Sequence, residues 1–163
     1  MSFKIISVDE KKCVSCKICE IVCSLKKEGN LNPTRSRIRV YSLYSRVDVP
    51  VVCRQCNDLP CRDACEYDAI SRNKENNSII IDSTNCIGCG LCIEACPFQA
   101  IFLHPETNKA VTCDLCEGDP VCVKYCPTKA ITYVPWEESL EAKRGSEKKL
   151  YQDLNLFVLI KEV

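Results

Sequence analysis

Sixteen cysteines sort without remainder into four groups whose spacing suits thiolate ligation of iron–sulfur cubanes. Cys13, Cys16, Cys19 and Cys23 follow C-x2-C-x2-C-x3-C, and Cys86, Cys89, Cys92 and Cys96 repeat that spacing. Cys53, Cys56, Cys61 and Cys65 follow C-x2-C-x4-C-x3-C, while Cys113, Cys116, Cys122 and Cys126 follow C-x2-C-x5-C-x3-C. Every group opens with x2 and closes with x3. A cubane offers iron at four corners, and three thiolates on a tight loop can wrap three of them. The fourth cysteine lies one helical turn on and points away, so it is free to serve a different cluster. Electron transfer is the chemistry such centres support.

The elements around the cysteines must turn the loops and hold the fourth thiol. Gly88 and Gly90 suit a loop that turns its amides toward sulfide, and Pro97 helps end the helix behind it. The run Cys86 to Pro97 fits the full C-x2-C-x2-C-x3-C-P pattern of bacterial two-cluster proteins. After the last cysteine the sequence repeats itself. Cys65-Glu66-Tyr67-Asp68-Ala69-Ile70, Cys96-Pro97-Phe98-Gln99-Ala100-Ile101 and Cys126-Pro127-Thr128-Lys129-Ala130-Ile131 share Ala-Ile at the same place. That pair is expected to pack against a cluster and start a strand. The first group lacks it, which predicts a longer helix there.

Residues 3–9 and 37–44 read as strands, residues 24–34 as a loop, and residues 69–81 and 100–112 as hairpins. Short helices are expected near Leu91–Cys96 and Val121–Cys126. Residues 135–163 contain no cysteine and read as a charged helical stretch, 137–150, followed by an apolar end from Leu154 to Ile160. Such an end either covers the chain's own core or inserts into a partner.

Other readings of the cysteines are structural zinc and a disulfide framework. Zinc suits paired CxxC motifs, but three cysteines at consecutive x2 steps fit one tetrahedral ion poorly. Disulfides need an oxidising compartment, and the start of the chain shows no secretory h-region or twin-arginine motif. The chain is therefore expected to be cytoplasmic. Lys and Arg number 22, as do Asp and Glu, which argues against broad nucleic-acid binding. No run approaches the roughly 18–20 apolar residues of a membrane span. No GxGxxG or Walker A pattern is present. His104, the only histidine, reads as a surface residue where a strand enters a turn. Arg35, Arg37 and Arg39 alternate with Ser36, Ile38 and Val40, as on the wet face of a strand or a docking edge for an acidic partner.

With the cysteines placed, the chain resembles the four-cluster ferredoxin-like iron–sulfur subunits of anaerobic oxidoreductases. The resemblance runs from about Val8 to Val134 and includes Cys53-Arg54-Gln55-Cys56 with Pro60-Cys61, and Cys113-Asp114-Leu115-Cys116 with Gly118, Pro120 and Cys122. The resemblance implies an α+β fold of two nested two-cluster ferredoxin units with short strands and helices around four [4Fe–4S] clusters. It implies that residues 1–134 form that domain, groups one and four making one unit and groups two and three the other, with 135–163 as an extension. It further implies crossed ligation: Cys13, Cys16 and Cys19 with Cys126; Cys113, Cys116 and Cys122 with Cys23; Cys53, Cys56 and Cys61 with Cys96; Cys86, Cys89 and Cys92 with Cys65.

Residues 32–40 and the short fourth group resemble compact members, such as small subunits of tungsten aldehyde oxidoreductases and of benzoyl-coenzyme A reductases. The expected role is a non-catalytic relay of single electrons to or from a large catalytic tungsten or molybdenum-pterin subunit. A further redox subunit or a ferredoxin would be its second partner. The alternatives are a free polyferredoxin and a partner of a hydrogenase, formate dehydrogenase or carbon monoxide dehydrogenase. Asp68, Gln99 and Lys129 depart from the family in standing where Gly is common, and Glu66 stands where Pro is usual.

Overall fold

The computed structural model describes residues 3–43 and 47–139. Among them run β1 (Lys4–Val8), α1 (Ile18–Glu28), β2 (Ile38–Leu43), β3 (Val47–Val52), α2 (Pro60–Asp63) and β4 (Ile70–Arg72). There follow β5 (Ile79–Ile81), α3 (Leu91–Ala95), β6 (Ile101–Leu103), β7 (Ala110–Thr112), α4 (Val121–Lys124) and β8 (Ile131–Pro135). The strands form antiparallel two-stranded ribbons: β1 with β8, β2 with β3, β4 with β5 and β6 with β7. The β1–β8 register, Lys4↔Pro135 to Val8↔Ile131, joins the segment before the first cysteine group to the one after the last. Phe3 stacks on Trp136 at 5.9 Å beyond the end of that ribbon.

The Ala-Ile repeat does what its position suggests. Asp68, Gln99 and Lys129 take left-handed backbone, with φ of 48°, 50° and 55°. That kink turns the chain so that Ala69, Ala100 and Ala130 are buried. Ile70, Ile101 and Ile131 then open β4, β6 and β8. The β4–β5 and β6–β7 hairpins are near copies. The Asn73 N–H donates to the Ser78 carbonyl and the His104 N–H to the Lys109 carbonyl, both at 2.8 Å. Asn77 and Asn108 close the two turns with positive φ.

Ribbons of two strands are marginal in water, and the apolar core is thin. Buried Ile6, Val8, Ile38, Val49, Val51 and Ile131 pack in one cluster with buried cysteines. The cysteines thus sit where a larger domain would hold aliphatic residues.

Several expectations need correction. Residues 24–28 belong to α1, not to a loop. Leu25, Lys26, Lys27 and Glu28 are good helix formers, and the helix stops only at Gly29, whose φ is 71° and whose N–H donates to the Leu25 carbonyl at 3.0 Å. This is also the long helix expected of the first group. The strand expected over 37–44 has a partner, β3, that the Pro50 in its middle obscured.

Arg35, Arg37 and Arg39 form neither a wet strand face nor a docking edge, because all three heads are engaged within the chain. Arg35 pairs with Glu106 and Arg37 with Glu28 at 3.0 Å. Arg39 lies 4.0 Å from the Phe102 ring centroid. His104 is buried, at 7% exposure, and not on the surface. Its Nδ1 accepts from the Glu106 and Thr107 N–H groups at 3.3 Å, and its Nε2 lies 3.4 Å from Glu28. Of the segment 135–163, Trp136–Glu138 form a single 3-10 turn; residues 140–163, with most of the expected helix and the apolar end, lie outside the described residues.

Candidate metal centres

Each cysteine group begins on a loop bent by left-handed residues. In the first, Ser15 and Lys17 have φ of 54° and 55°; in the third, Gly88 and Gly90 occupy the same two places with 78° and 85°. Gln55 and Leu115, at φ of 53° and 60°, stand where Ser15 and Gly88 do. A reversed bend two residues after the first cysteine turns successive thiols to one side. Only Gly88 also faces a close neighbour: a Cβ there would overlap the Asn108 carbonyl oxygen. The fourth cysteine of each group then leaves along or just after a helix, short in all but the first group.

The structure brings the loops together crosswise. One cavity of about 340 Å³ is lined by Cys86, Cys89, Cys92 and Cys65. A second, of about 330 Å³, is lined by Cys53, Cys56, Cys61 and Cys96. A third, also about 330 Å³, is lined by Cys13, Cys16, Cys19 and Cys126. All three volumes include space open to solvent. The remaining four thiols also gather: Cys23 lies within electrostatic range of Cys116, Cys113 and Cys122. The packing of α1 on α4 makes this possible, and Lys27 holds Asp114 at 2.6 Å across the same contact.

These surroundings fit a multi-iron cage. Among the described residues no three His, Cys, Asp or Glu side chains converge on the position of a single ion; the thiols of three groups stand instead around cavities of nearly equal size. None of the sixteen is disulfide-bonded. Amides already point at sulfur. The Arg37 N–H donates to Cys23 Sγ at 3.3 Å, and the Ala100 and Ala110 N–H groups to Cys96 and Cys86 Sγ at 3.4 Å. Such bonds favour the thiolate over the thiol.

Burial works the other way. It pushes the Cys53 and Cys19 thiols up to about 12, and Cys56 and Cys92 up to about 11. Cys113 and Cys122 are raised as well, again by burial first and by neighbouring thiols second. Cys126 is the exception. Burial raises it, but hydrogen bonds from the Ile131, Ala130 and Thr128 amides and the Thr128 hydroxyl outweigh that and leave it lowered. Thiols this reluctant to ionise stand as thiolates only when a cation binds their sulfur.

Electrostatic neighbours between groups set their order. Cys19 faces Cys122, Cys113 faces Cys53, and Cys92 faces Cys61. The four thiol groups therefore form a row. Its inner members are the groups of Cys113 and Cys53, and its ends those of Cys13 and Cys86. Only two of the sixteen thiols are exposed, Cys16 at one end and Cys89 at the other.

Sequence reasoning missed the side chains that tie these loops down. Arg72 donates to the Asn77 carbonyl at 2.9 Å and to the carbonyl of Cys56. Lys109 donates to the carbonyl of Cys86. Gln55 reaches the Cys113 carbonyl at 2.8 Å. Only Gln55 stands within a cysteine motif, Cys53-Arg54-Gln55-Cys56, whose spacing says nothing of its partner.

Comparison with known proteins agrees with this geometry. The family described as "4Fe-4S dicluster domain" matches residues 45–135. The polyferredoxin-like subunit of aliphatic sulfonate oxidoreductase from Pyrococcus furiosus is 40% identical over 147 residues, covering 90% of this chain and 82% of the relative. The thiosulfate reductase electron transfer subunit PhsB of Salmonella typhi is 29% identical over 158 residues, covering 88% and 82%. A chain in the active-site complex BamBC of benzoyl coenzyme A reductase shares the fold. Its TM-score is 0.50 at 23% identity, over 99% of this chain and 91% of that one.

Proposed function

Because this chain belongs to the 4Fe–4S dicluster family of iron–sulfur electron-transfer subunits in oxidoreductase complexes, we propose that all sixteen cysteines ligate its four [4Fe–4S] clusters. Such clusters, when bound, take up and release one electron at a time. Cys13, Cys16, Cys19 and Cys126 hold one end of the row. Cys113, Cys116, Cys122 and Cys23 come next, followed by Cys53, Cys56, Cys61 and Cys96. Cys86, Cys89, Cys92 and Cys65 hold the other end. The observation that carries this reading is the row itself: four thiol groups, each within electrostatic range of the next, with an exposed cysteine only at the two ends.

The rest of the chain positions and insulates. Buried Ile, Val and Ala side chains keep water from the inner cages, and backbone amides aimed at Cys23, Cys86 and Cys96 ease the thiolate charge. With a cysteine on every iron, no site is left for a substrate. The chain is therefore a non-catalytic relay within residues 1–134, with 135–163 as an extension.

Its partner is a large catalytic subunit carrying tungsten or molybdenum-pterin, of the aldehyde oxidoreductase or benzoyl-coenzyme A reductase type. The compact fourth group, the residues 32–40 and the shared fold with the BamBC chain support that choice. The cytoplasm, where thiols stay reduced, is its compartment. Anaerobic purification of the tagged chain from its native host tests the whole reading. Tungsten or molybdenum should accompany it in a larger protein, and Cys61→Ser should lose or convert one cluster. A chain without iron or acid-labile sulfide would end the proposal; one that purifies alone would remove the partner from it.

A further inference from the structure

Gln55 is a buried side chain that joins the two halves of the row. It is 1% exposed and sits with φ of 53° between Cys53 and Cys56. Its Nε2 donates to the Cys113 carbonyl at 2.8 Å, and its Oε1 accepts from the Ile79 N–H at 2.7 Å. Its own carbonyl accepts from Arg72 at 3.5 Å. The amide therefore spends both ends on buried backbone, one on the fourth cysteine loop and one on the β4–β5 hairpin. A buried polar side chain needs such partners, but an aliphatic residue of similar size would fill the same space. What the amide adds is a fixed tie between the loop of Cys53 and the loop of Cys113. Thr112 stands on the same seam, its hydroxyl beside the Cys53 thiol, and the Cys113 and Cys53 thiols are electrostatic neighbours.

We propose that Gln55 is a positioning residue that sets the gap between the two inner clusters of the row. The inference rests on the ligation proposed above. An electron crossing from one half of the chain to the other must pass this gap: one electron leaves one inner cluster and arrives at its neighbour, with no bond made and no proton moved. Tunnelling falls steeply with distance, so a loosened seam slows this step and leaves the two outer steps alone.

The test uses the full chain, prepared anaerobically with its iron and reduced in stages with dithionite. Gln55→Leu removes both hydrogen bonds. Gln55→Glu keeps an acceptor for Ile79 and, when ionised, replaces the donor toward Cys113 with a charged acceptor oxygen. Both variants are expected to hold the same iron and sulfide as the unaltered chain and to lose magnetic coupling between the inner clusters, read as collapse of the spin–spin splitting in the electron paramagnetic resonance spectrum. Should Gln55→Leu fail to assemble, Gln55→Glu decides alone. Unchanged splitting in a fully loaded variant overturns the proposal. Loss of iron from both variants overturns it too, since Gln55 would then be a folding residue. An unaltered chain that binds no iron defeats the proposed function instead, so the two failures are told apart.

Discussion

Glu28, in the last turn of α1, holds the Arg37 guanidinium at 3.0 Å, with both side chains mostly shielded from water. The Arg37 backbone N–H meanwhile donates to Cys23 Sγ. The same carboxylate faces His104 Nε2 at 3.4 Å, so one acidic side chain ties the first cysteine helix to the turn of the β6–β7 hairpin. Glu28→Gln keeps the shape and removes the charge. It is expected to destabilise the loaded protein by about 1–3 kcal/mol, less than a fully buried pair because the heads retain some solvent. Thermal loss of the cluster absorbance should shift downward while the iron content at room temperature stays whole. An unchanged transition would show that the network contributes nothing.

Gly88 and Asn108 give a sharper case. The glycine has φ of 78°, and a Cβ on it would overlap the Asn108 carbonyl oxygen. Gly88→Ala therefore combines a left-handed penalty with a packing clash, about 2–5 kcal/mol together. The strain falls on the loop of Cys86, Cys89 and Cys92. One cluster's worth of iron should be lost or made labile, with the others intact. Full and stable iron content in the purified variant would refute the expectation.

Lys129 lies the other way. It is exposed, holds φ of 55° and stands where the family commonly has Gly. Lys129→Gly relieves a left-handed penalty of about 1–2 kcal/mol against a backbone-entropy cost of about 0.5–1 kcal/mol. A net gain of up to about 1.5 kcal/mol is expected, read as slower iron loss under chelator challenge. A faster loss would mean that the lysine makes up for its backbone through other contacts.

These two positions show what the sequence could carry. The cysteine spacing is local, so the loops, the short helices behind them and the hairpins after the first two Ala-Ile pairs were legible. The left-handed bends at Ser15, Lys17 and Gln55 were not, because no glycine marks them. Glu28 with Arg37 and Gln55 with Cys113 join residues far apart in the chain, and no local pattern foretells which loop a side chain will meet. The burial of His104 was hidden for the same reason: its partner Glu28 lies 76 positions earlier, as 104 − 28. The crossed gathering of the thiols was expected only through family resemblance, since spacing alone said that the fourth cysteine points away.

Arg72 sits against the loop of Cys56 and counts among the groups that lower the Cys61 thiol, after its burial and Cys96 raise it. Adding an electron to a cluster adds negative charge, which a nearby cation favours. Arg72→Leu should therefore lower the midpoint potential of the cluster proposed at Cys53, Cys56, Cys61 and Cys96, on the order of tens of millivolts. It also leaves the Asn77 and Cys56 carbonyls without a donor, at about 1–3 kcal/mol each where they are buried. Redox titration followed by electron paramagnetic resonance measures the first effect. A potential that rises would reverse the sign of the argument.

Removal of iron tests how far the clusters hold the fold. Isolated two-stranded ribbons such as β4–β5 and β6–β7 have little stability of their own, and the core shares its interior with the thiols. Burial raises most of those thiols, so on losing iron they take up protons instead of standing as buried anions. Under the proposed ligation the resulting neutral cavities have lost the bonds that link loops far apart in sequence, from Cys13 to Cys126 and from Cys23 to Cys113. Metal binding and folding are then one equilibrium. Chelation under anaerobic, reducing conditions should abolish the ribbon and helix signals in far-ultraviolet circular dichroism together with the visible absorbance, in a single transition. Returning iron and sulfide should restore both. A chain that kept its circular dichroism after complete loss of iron would show that the apolar residues suffice, and the clusters would then be passengers on a fold that stands without them.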